Sequence, residues 1–160
     1  MPIAISILDH SNWEYQDRAL KFFESLTDAK LLRIVVVEKL LPSMIPMLKH
    51  EHTIVQDSTL RLLENFAVAN LIDQTDIKKI WPMVISMLSR SQWQIQHIML
   101  KLFKSFAQAN LIDEMHAKEL LSFINPLLNS PRLKIQREAK LLLESLSQGS
   151  ISLDRLCNEK

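Results

Sequence analysis

Glycine is nearly missing from this 160-residue sequence, with Gly149 the only one. Tight β-hairpins, phosphate-cradling loops and dinucleotide fingerprints need glycine for positive φ angles or close backbone approach, so the sequence excludes them. A single cysteine, Cys157, permits no intramolecular disulfide and no cysteine-rich zinc site. Long apolar runs are missing as well. The longest apolar stretch, "LLRIVVVEKLL" at 31–41, is interrupted by Arg33, Glu38 and Lys39 and falls short of the ~20 residues that span a bilayer. "MPIAISIL" has no basic segment before it and is cut short by Asp9 and His10, unlike a secretory leader. Neither charge sign dominates: 19 basic and 18 acidic residues give a formal net charge of +1. Nothing global pulls the chain toward nucleic acid or an anionic membrane. The expectation is an intracellular soluble protein, cytoplasmic or nuclear, without membrane association.

What is present is an internal repeat. Apolar residues make up 48% and charged residues 23%, the balance of a folded domain. "FAVANLID" at 66–73 returns as "FAQANLID" at 106–113, and over 47–73 against 87–113 the chain is identical at 12 of 27 positions. The same 40-residue shift aligns Leu8, Leu48, Leu88 and Leu128, and it aligns Gln16, Gln56, Gln96 and Gln136. Phe22, Leu62, Leu102 and Leu142 form another column, as do Leu26, Phe66, Phe106 and Leu146. Four copies in one register make the echo architectural rather than catalytic.

Within the second copy, Val55, Thr59, Leu62, Leu63 and Phe66 recur at helical spacing. The segment 74–88 supplies a partner helix whose Pro82 should kink it or mark its start. Each unit therefore reads as a helical hairpin that completes its core by stacking on its neighbours. In "FAxANLID" a helix ends and a turn follows, with Asp73 or Thr75 available to cap the next helix. We expect one α-solenoid domain over 1–148, with repeats at about 1–29, 30–69, 70–109 and 110–148, then a polar tail at 149–160.

The segment "LLPSMIPMLKHEHTIVQDSTLRLLENFA" (40–67) resembles the unit of the armadillo and HEAT repeat superfamily, and the resemblance covers essentially the whole chain. The pairs Val55–Gln56, Ile95–Gln96 and Ile135–Gln136 resemble armadillo more than HEAT, and His10, His50, Arg90 and Ser130 stand where HEAT units carry a turn aspartate. The resemblance implies an all-α fold: a right-handed solenoid of about four 40-residue helical hairpins, whose second helices line a concave groove for peptides or proteins. In peptide-reading armadillo proteins that groove carries a tryptophan and asparagine ladder. Here the tryptophan column holds Lys21, Arg61, Lys101 and Leu141, and only Asn65 keeps the asparagine column. Three of those four residues are cations, which is the wrong sign for a basic ligand.

The candidate partner-binding residues are accordingly Arg61, Asn65, His97, Lys101 and Lys104, on the second helices off the apolar stripe. In the first two units Asp17–Lys21 and Asp57–Arg61 are i,i+4 pairs of an ordinary solvated helix face. In the third, His97, Lys101 and Lys104 replace acid, base and acid, leaving a cationic strip without a partner on its own helix and suited to an acidic partner. Trp13 and Trp93 occupy equivalent columns, where they fill space between repeats or anchor a partner. His50-Glu51-His52 has no further ligand for a metal, and no nucleophile elbow or paired-carboxylate pattern appears. The reading is a non-enzymatic interaction scaffold with no cofactor and no metal, binding a protein or peptide segment. One rival is a HEAT-like nucleic-acid-binding module, which the neutral charge and interleaved acids weaken. A third reading is an assembly subunit that self-associates through uncapped ends, the fourth unit closing on Leu141, Leu142, Leu143 and Leu146.

Overall fold

In a computed structural model, residues 2–90 and 92–149 are described, apart from the side chains of residues 2, 89 and 90. The remainder of the tail with Cys157, and the side chain of Arg90, lie outside the described residues. The described residues form helices and turns without strands. α1 (Pro2–Ser6) leads into a 3-10 turn (Ile7–Asp9), followed by α2 (Trp13–Asp28), α3 (Ile34–Met47) and α4 (Thr53–Val68). Then come α5 (Gln74–Arg90), α6 (Trp93–Gln108), α7 (Glu114–Leu127) and α8 (Leu133–Gln148). The even-numbered members of this series are the expected second helices.

The chain divides into two compact units, Met1–Asp76 and Ile77–Lys160, with the division in the first turn of α5. In the first unit α2 packs along α4, and α3 packs on α4. Its core holds Leu20, Phe23, Val37, Leu40, Leu62 and Phe66, all fully buried. In the second unit α6 packs along α8, and α7 packs on α8. Phe103, Phe106, Leu120, Ile124, Leu142 and Leu146 fill that core. Side chains of this size each contribute about 1.5–3 kcal/mol on full burial, so stacking rather than local propensity holds the helices.

Equivalent positions face equivalent ways. Residues 31–48 and 71–88 have the same burial state at 16 of 18 positions. Pro2 opens α1, but four other prolines do not mark helix starts: Pro42 and Pro46 lie inside α3, Pro82 inside α5 and Pro126 inside α7. All four are exposed. The carbonyl that a proline leaves without a donor is therefore on the wet side of the helix, where water accepts the role.

The octapeptide encodes a turn. Lys30, Asn70 and Asn110 follow α2, α4 and α6 with φ of 57°, 54° and 55°, the left-handed conformation that usually calls for glycine. The Asn70 N–H donates to the Ala67 carbonyl at 3.1 Å, and the Leu71 N–H donates to the Phe66 carbonyl at 2.9 Å. The same pair of bonds closes α2 through Lys30 and Leu31, and α6 through Asn110 and Leu111. Asparagine tolerates this backbone better than other non-glycine residues, which explains how a chain with one glycine turns so sharply. Three residues later the next helix is capped. Asp73 Oδ1 accepts from the Thr75 and Asp76 N–H groups at 2.7 and 3.0 Å, while the Asp73 N–H donates to Asp76 Oδ2 at 3.3 Å. Asp113 Oδ1 caps α7 through the His116 N–H at 2.9 Å. The equivalent Arg33 makes no side-chain cap.

The glutamine column serves the other turn in each repeat. Gln16 Nε2 donates to the carbonyls of Leu8 and His10 at 3.1 and 2.7 Å. Gln56 donates to the His50 carbonyl at 2.6 Å, Gln96 to Leu88 at 3.2 Å and Gln136 to Leu128 at 2.9 Å. These carbonyls have no intrahelical donor at the end of the first helix of each pair. The histidine column acts beside them: His10 Nδ1 accepts from the Asn12 N–H and His50 Nδ1 from the His52 N–H, at 3.0 and 3.1 Å. Ser130 Oγ makes the same bond to the Arg132 N–H at 3.3 Å. His50 is thus committed to its own turn.

The left-handed column gives the first test. Lys30→Gly relieves a side chain from a backbone that costs a non-glycine residue about 1–2 kcal/mol, against the entropy glycine adds to the unfolded chain, so stability should rise by up to about 1 kcal/mol. Asn70→Ala should lower it by about 1 kcal/mol. Urea midpoints at constant m-value measure both.

Candidate functional site

The five candidate residues fall in two groups, one in each unit. In the first unit, Arg61 and Asn65 lie one turn apart on α4. The Arg61 Nε donates to Asp57 Oδ2 at 2.9 Å, and Asn65 Nδ2 reaches across to Asp28 Oδ1 on α2 at 3.2 Å. On α2, Lys21 Nζ donates to Asp17 Oδ2 at 2.7 Å. Both expected i,i+4 pairs are therefore formed. Asp17 is buried, and its second oxygen accepts the Ser58 hydroxyl from α4 at 2.5 Å. A buried carboxylate with two such donors is satisfied, and it ties the first repeat to the second.

Around these pairs the balance is acidic. Burial raises the Glu24 carboxyl pKa above its usual value, with Asp28 and then Asp57 adding repulsion that Arg61 and Lys21 only partly offset. Arg61 is held more firmly protonated, first by its hydrogen bond to Asp57 and then by Glu24 and Glu64. Five carboxylates (Asp17, Glu24, Asp28, Asp57, Glu64) share this surface with Lys21 and Arg61. Arg61 is thus paired with Asp57 and flanked by further acids.

The second unit has the opposite sign. His97, Lys101 and Lys104 lie at i, i+4 and i+7 on α6, all half-buried. Their helix carries no acid beside them, but α8 supplies one: Glu138 stands 3.9 Å from His97 Nε2 and 3.7 Å from Lys104 Nζ. Glu138 is only 12% exposed along its side chain. It occupies the register position of Ser58, as His97 occupies that of Asp17. The same inter-repeat contact is therefore built twice with its polarity exchanged: acid then hydroxyl in the first unit, imidazole then acid in the second. The sequence reading missed Asp28, Ser58 and Glu138. Their columns hold no repeated residue type, so a search for recurrence passes over them.

The tryptophans make a matching pair of contacts between repeats. The Trp13 ring lies against His52 with centroids 4.9 Å apart, and Arg132 lies over Trp93 at 5.2 Å from its centroid. Each tryptophan thus meets the residue 39 positions on, in the turn before the next second helix. Trp81, in α5, packs on His116 and Phe103 and donates its Nε1–H to Glu119 Oε2 at 2.7 Å. Among the described residues no three His, Cys, Asp or Glu side chains are grouped to hold a metal. No helix of the described residues is long and apolar enough to cross a membrane.

No known protein-family model matches this sequence, and no curated protein matches it. Solved structures do match the fold. An engineered protein aligns with a TM-score of 0.71 at 20% identity, covering 91% of this chain and 63% of its own. A designed armadillo repeat protein in complex with the peptide (KR)4 aligns at 0.69 with 14% identity, over 89% of this chain and 62% of its own. Computationally designed armadillo repeat proteins for modular peptide recognition align at 0.66, again at 14% identity. The fold is an armadillo-like, all-helical repeat, as the 40-residue register implies. The chain spans under two thirds of the length of these matched structures.

The acidic surface of the first unit is testable through pH. The raised Glu24 pKa means the folded state holds that proton more tightly than the unfolded chain does. Its favourable contribution is present below the unfolded carboxyl pKa and is lost as pH rises through the folded value, leaving an opposing charge at neutrality. Glu24→Gln should therefore raise stability at pH 7, by less than about 1 kcal/mol because the group is largely solvated, and the melting temperature with it. The gain should vanish in acid, below about pH 4. A thermal melt series across pH measures the difference.

Proposed function

We propose that the chain is a non-catalytic binding scaffold that captures a protein or peptide segment on the exposed side of its second helices. The strip on α6 carries this reading. Lys101 and Lys104 are its cations, beside His97, and Glu138 stands 3.9 Å from His97 and 3.7 Å from Lys104. Half-burial limits the rotamers available to these side chains, so less entropy is lost when they take up a ligand. An acidic or carboxylate-rich segment suits this strip. Arg61 and Asn65 are a poorer match to the same ligand, because Asp57, Asp28, Glu24 and Glu64 surround them.

The likeness to designed armadillo repeat proteins supports a scaffold of this kind, since one of those was solved with a peptide bound. Its peptide is basic, and the α6 strip has the reverse preference. The test is a pull-down with the wild-type chain and a Lys101→Glu/Lys104→Glu variant. A partner lost from the variant, with a weaker wild-type interaction at high salt, is the expected result, because exposed charge pairs are screened. Identical partners in equal amount would remove the strip from the binding surface. Retention that follows nucleic acid, and disappears with nuclease, would favour the nucleic-acid reading instead.

A further inference from the structure

Glu138 meets its cations differently from the carboxylates of the first unit. Asp17 gives both oxygens to hydrogen bonds, from the Ser58 hydroxyl at 2.5 Å and from Lys21 Nζ at 2.7 Å. Asp57 accepts from Arg61 Nε at 2.9 Å. Glu138 Oε1 stands 3.9 Å from His97 Nε2, and Oε2 stands 3.7 Å from Lys104 Nζ. Charge-assisted hydrogen bonds of this type run at about 2.7–2.9 Å, so neither contact is one. Oε2 is buried and accepts no hydrogen bond from the protein. The carboxylate is held by the field of its neighbours, with its hydrogen-bonding capacity unused.

The cations around it are correspondingly uncommitted. Lys104 is paired with Glu138 without a hydrogen bond. Lys101, three residues before it on the same side of α6, makes neither a hydrogen bond nor an ion pair among the described residues. On α8, Lys134 and Arg137 stand exposed and make none either. Arg137 holds the register position of His97. α6 carries no acid, and α8 carries two, Glu138 and the exposed Glu144. Glu138 is therefore the acid set at the heart of this strip, and its side chain is only 12% exposed.

We propose that Glu138 is an internal competitor for Lys104, which an incoming acidic segment displaces, and that it restricts the strip to segments with several acids close together. This inference rests on the α6 strip being the binding surface. A single ligand carboxylate at Lys104 exchanges one ion pair for another and leaves Glu138 half-buried with less compensation, so little is gained. A run of acids also engages Lys101, which Glu138 does not hold, and each further acid adds attraction. Isolated acidic residues, common on any protein surface, are thereby rejected.

The test uses three synthetic peptides of equal length in a Gly/Ser frame, bearing four glutamates, one glutamate with three glutamines, or four glutamines. Fluorescence anisotropy at low salt reads their affinities for the full chain. The wild-type chain should prefer four glutamates to one by about tenfold or more. Glu138→Gln, which keeps the shape of the side chain, should tighten the four-glutamate peptide by about threefold to tenfold. It should leave the four-glutamine peptide unchanged, whereas a packing defect would not follow the charge of the ligand. In a Lys104→Gln background the gain from Glu138→Gln should fall by at least about half, the coupling of two groups in contact. Circular dichroism checks folding. If Glu138→Gln loses its helical signal, Glu138→Ser, the residue type of Ser58, serves instead. Four-glutamate binding that is equal or weaker in a folded Glu138 variant overturns the competitor and leaves the strip as a binding surface. So does an undiminished gain without Lys104, or equal wild-type affinity for one glutamate and four. Binding by neither the wild-type chain nor the variant overturns the strip and the competitor together.

Discussion

Everything in this molecule depends on one helix nesting against its equivalent 40 residues on. α2 lies along α4, and α6 along α8, each pair joined by a column of leucine, phenylalanine and alanine facing a second such column. A single hairpin has too little interior to stay folded, because both sides of its second helix are apolar. The core is therefore shared between repeats, and a substitution at Leu62 on α4, which packs along α2, acts on two repeats rather than one. The same nesting sets the spacing of whatever lies beside the core. The polar contacts Asp17–Ser58 and His97–Glu138 occupy one position in the register, as do Trp13–His52 and Trp93–Arg132.

That shared geometry makes the difference in charge informative. The contact built from Asp17 and Ser58 leaves acids in excess around Lys21 and Arg61. The one built from His97 and Glu138 leaves cations in excess around Lys101 and Lys104. The packing accepts either polarity: a hydrogen-bonded acid in the first unit, and in the second an acid at ion-pair distance from His97 and Lys104. The choice of sign is thus free of the fold and open to a binding role. A formal net charge of +1 conceals this, because opposite local fields cancel in the sum.

Much of the architecture could be read from residue types that recur. The leucine and phenylalanine columns located the second helices to within two residues, and Asp73 was identifiable as a cap from its place after "FAxANL". The glutamine column was visible but its task was not, since a repeated polar residue on an apolar face does not announce which carbonyl it meets. Prolines misled in one respect: taken as possible helix starts, they lie inside α3, α5 and α7, on the solvent side. The site was less legible. His97, Lys101 and Lys104 are adjacent because helical spacing makes them so. Glu138 joins them only through the packing of α8 on α6, which no local pattern contains.

The outer faces of α2 and α8 show how the same register carries different surfaces. Leu20 and Thr27 are buried on α2, along which α4 packs, and Leu100 and Ala107 are buried on α6, along which α8 packs. Replacing these by Lys140 and Ser147 leaves the inward face of α8 untouched, with Ile135, Leu142 and Leu146 still buried. A helix can thus be closed on one side by two substitutions, without altering how it joins its neighbour. α2 has the complementary choice available at Tyr15 and Phe22 and does not take it. Each of those rings left half in water forgoes part of the roughly 1.5–3 kcal/mol that full burial of a large apolar side chain supplies. The two faces therefore differ in kind: Lys140 and Ser147 make that of α8 polar, whereas Tyr15 and Phe22 leave that of α2 apolar and half exposed.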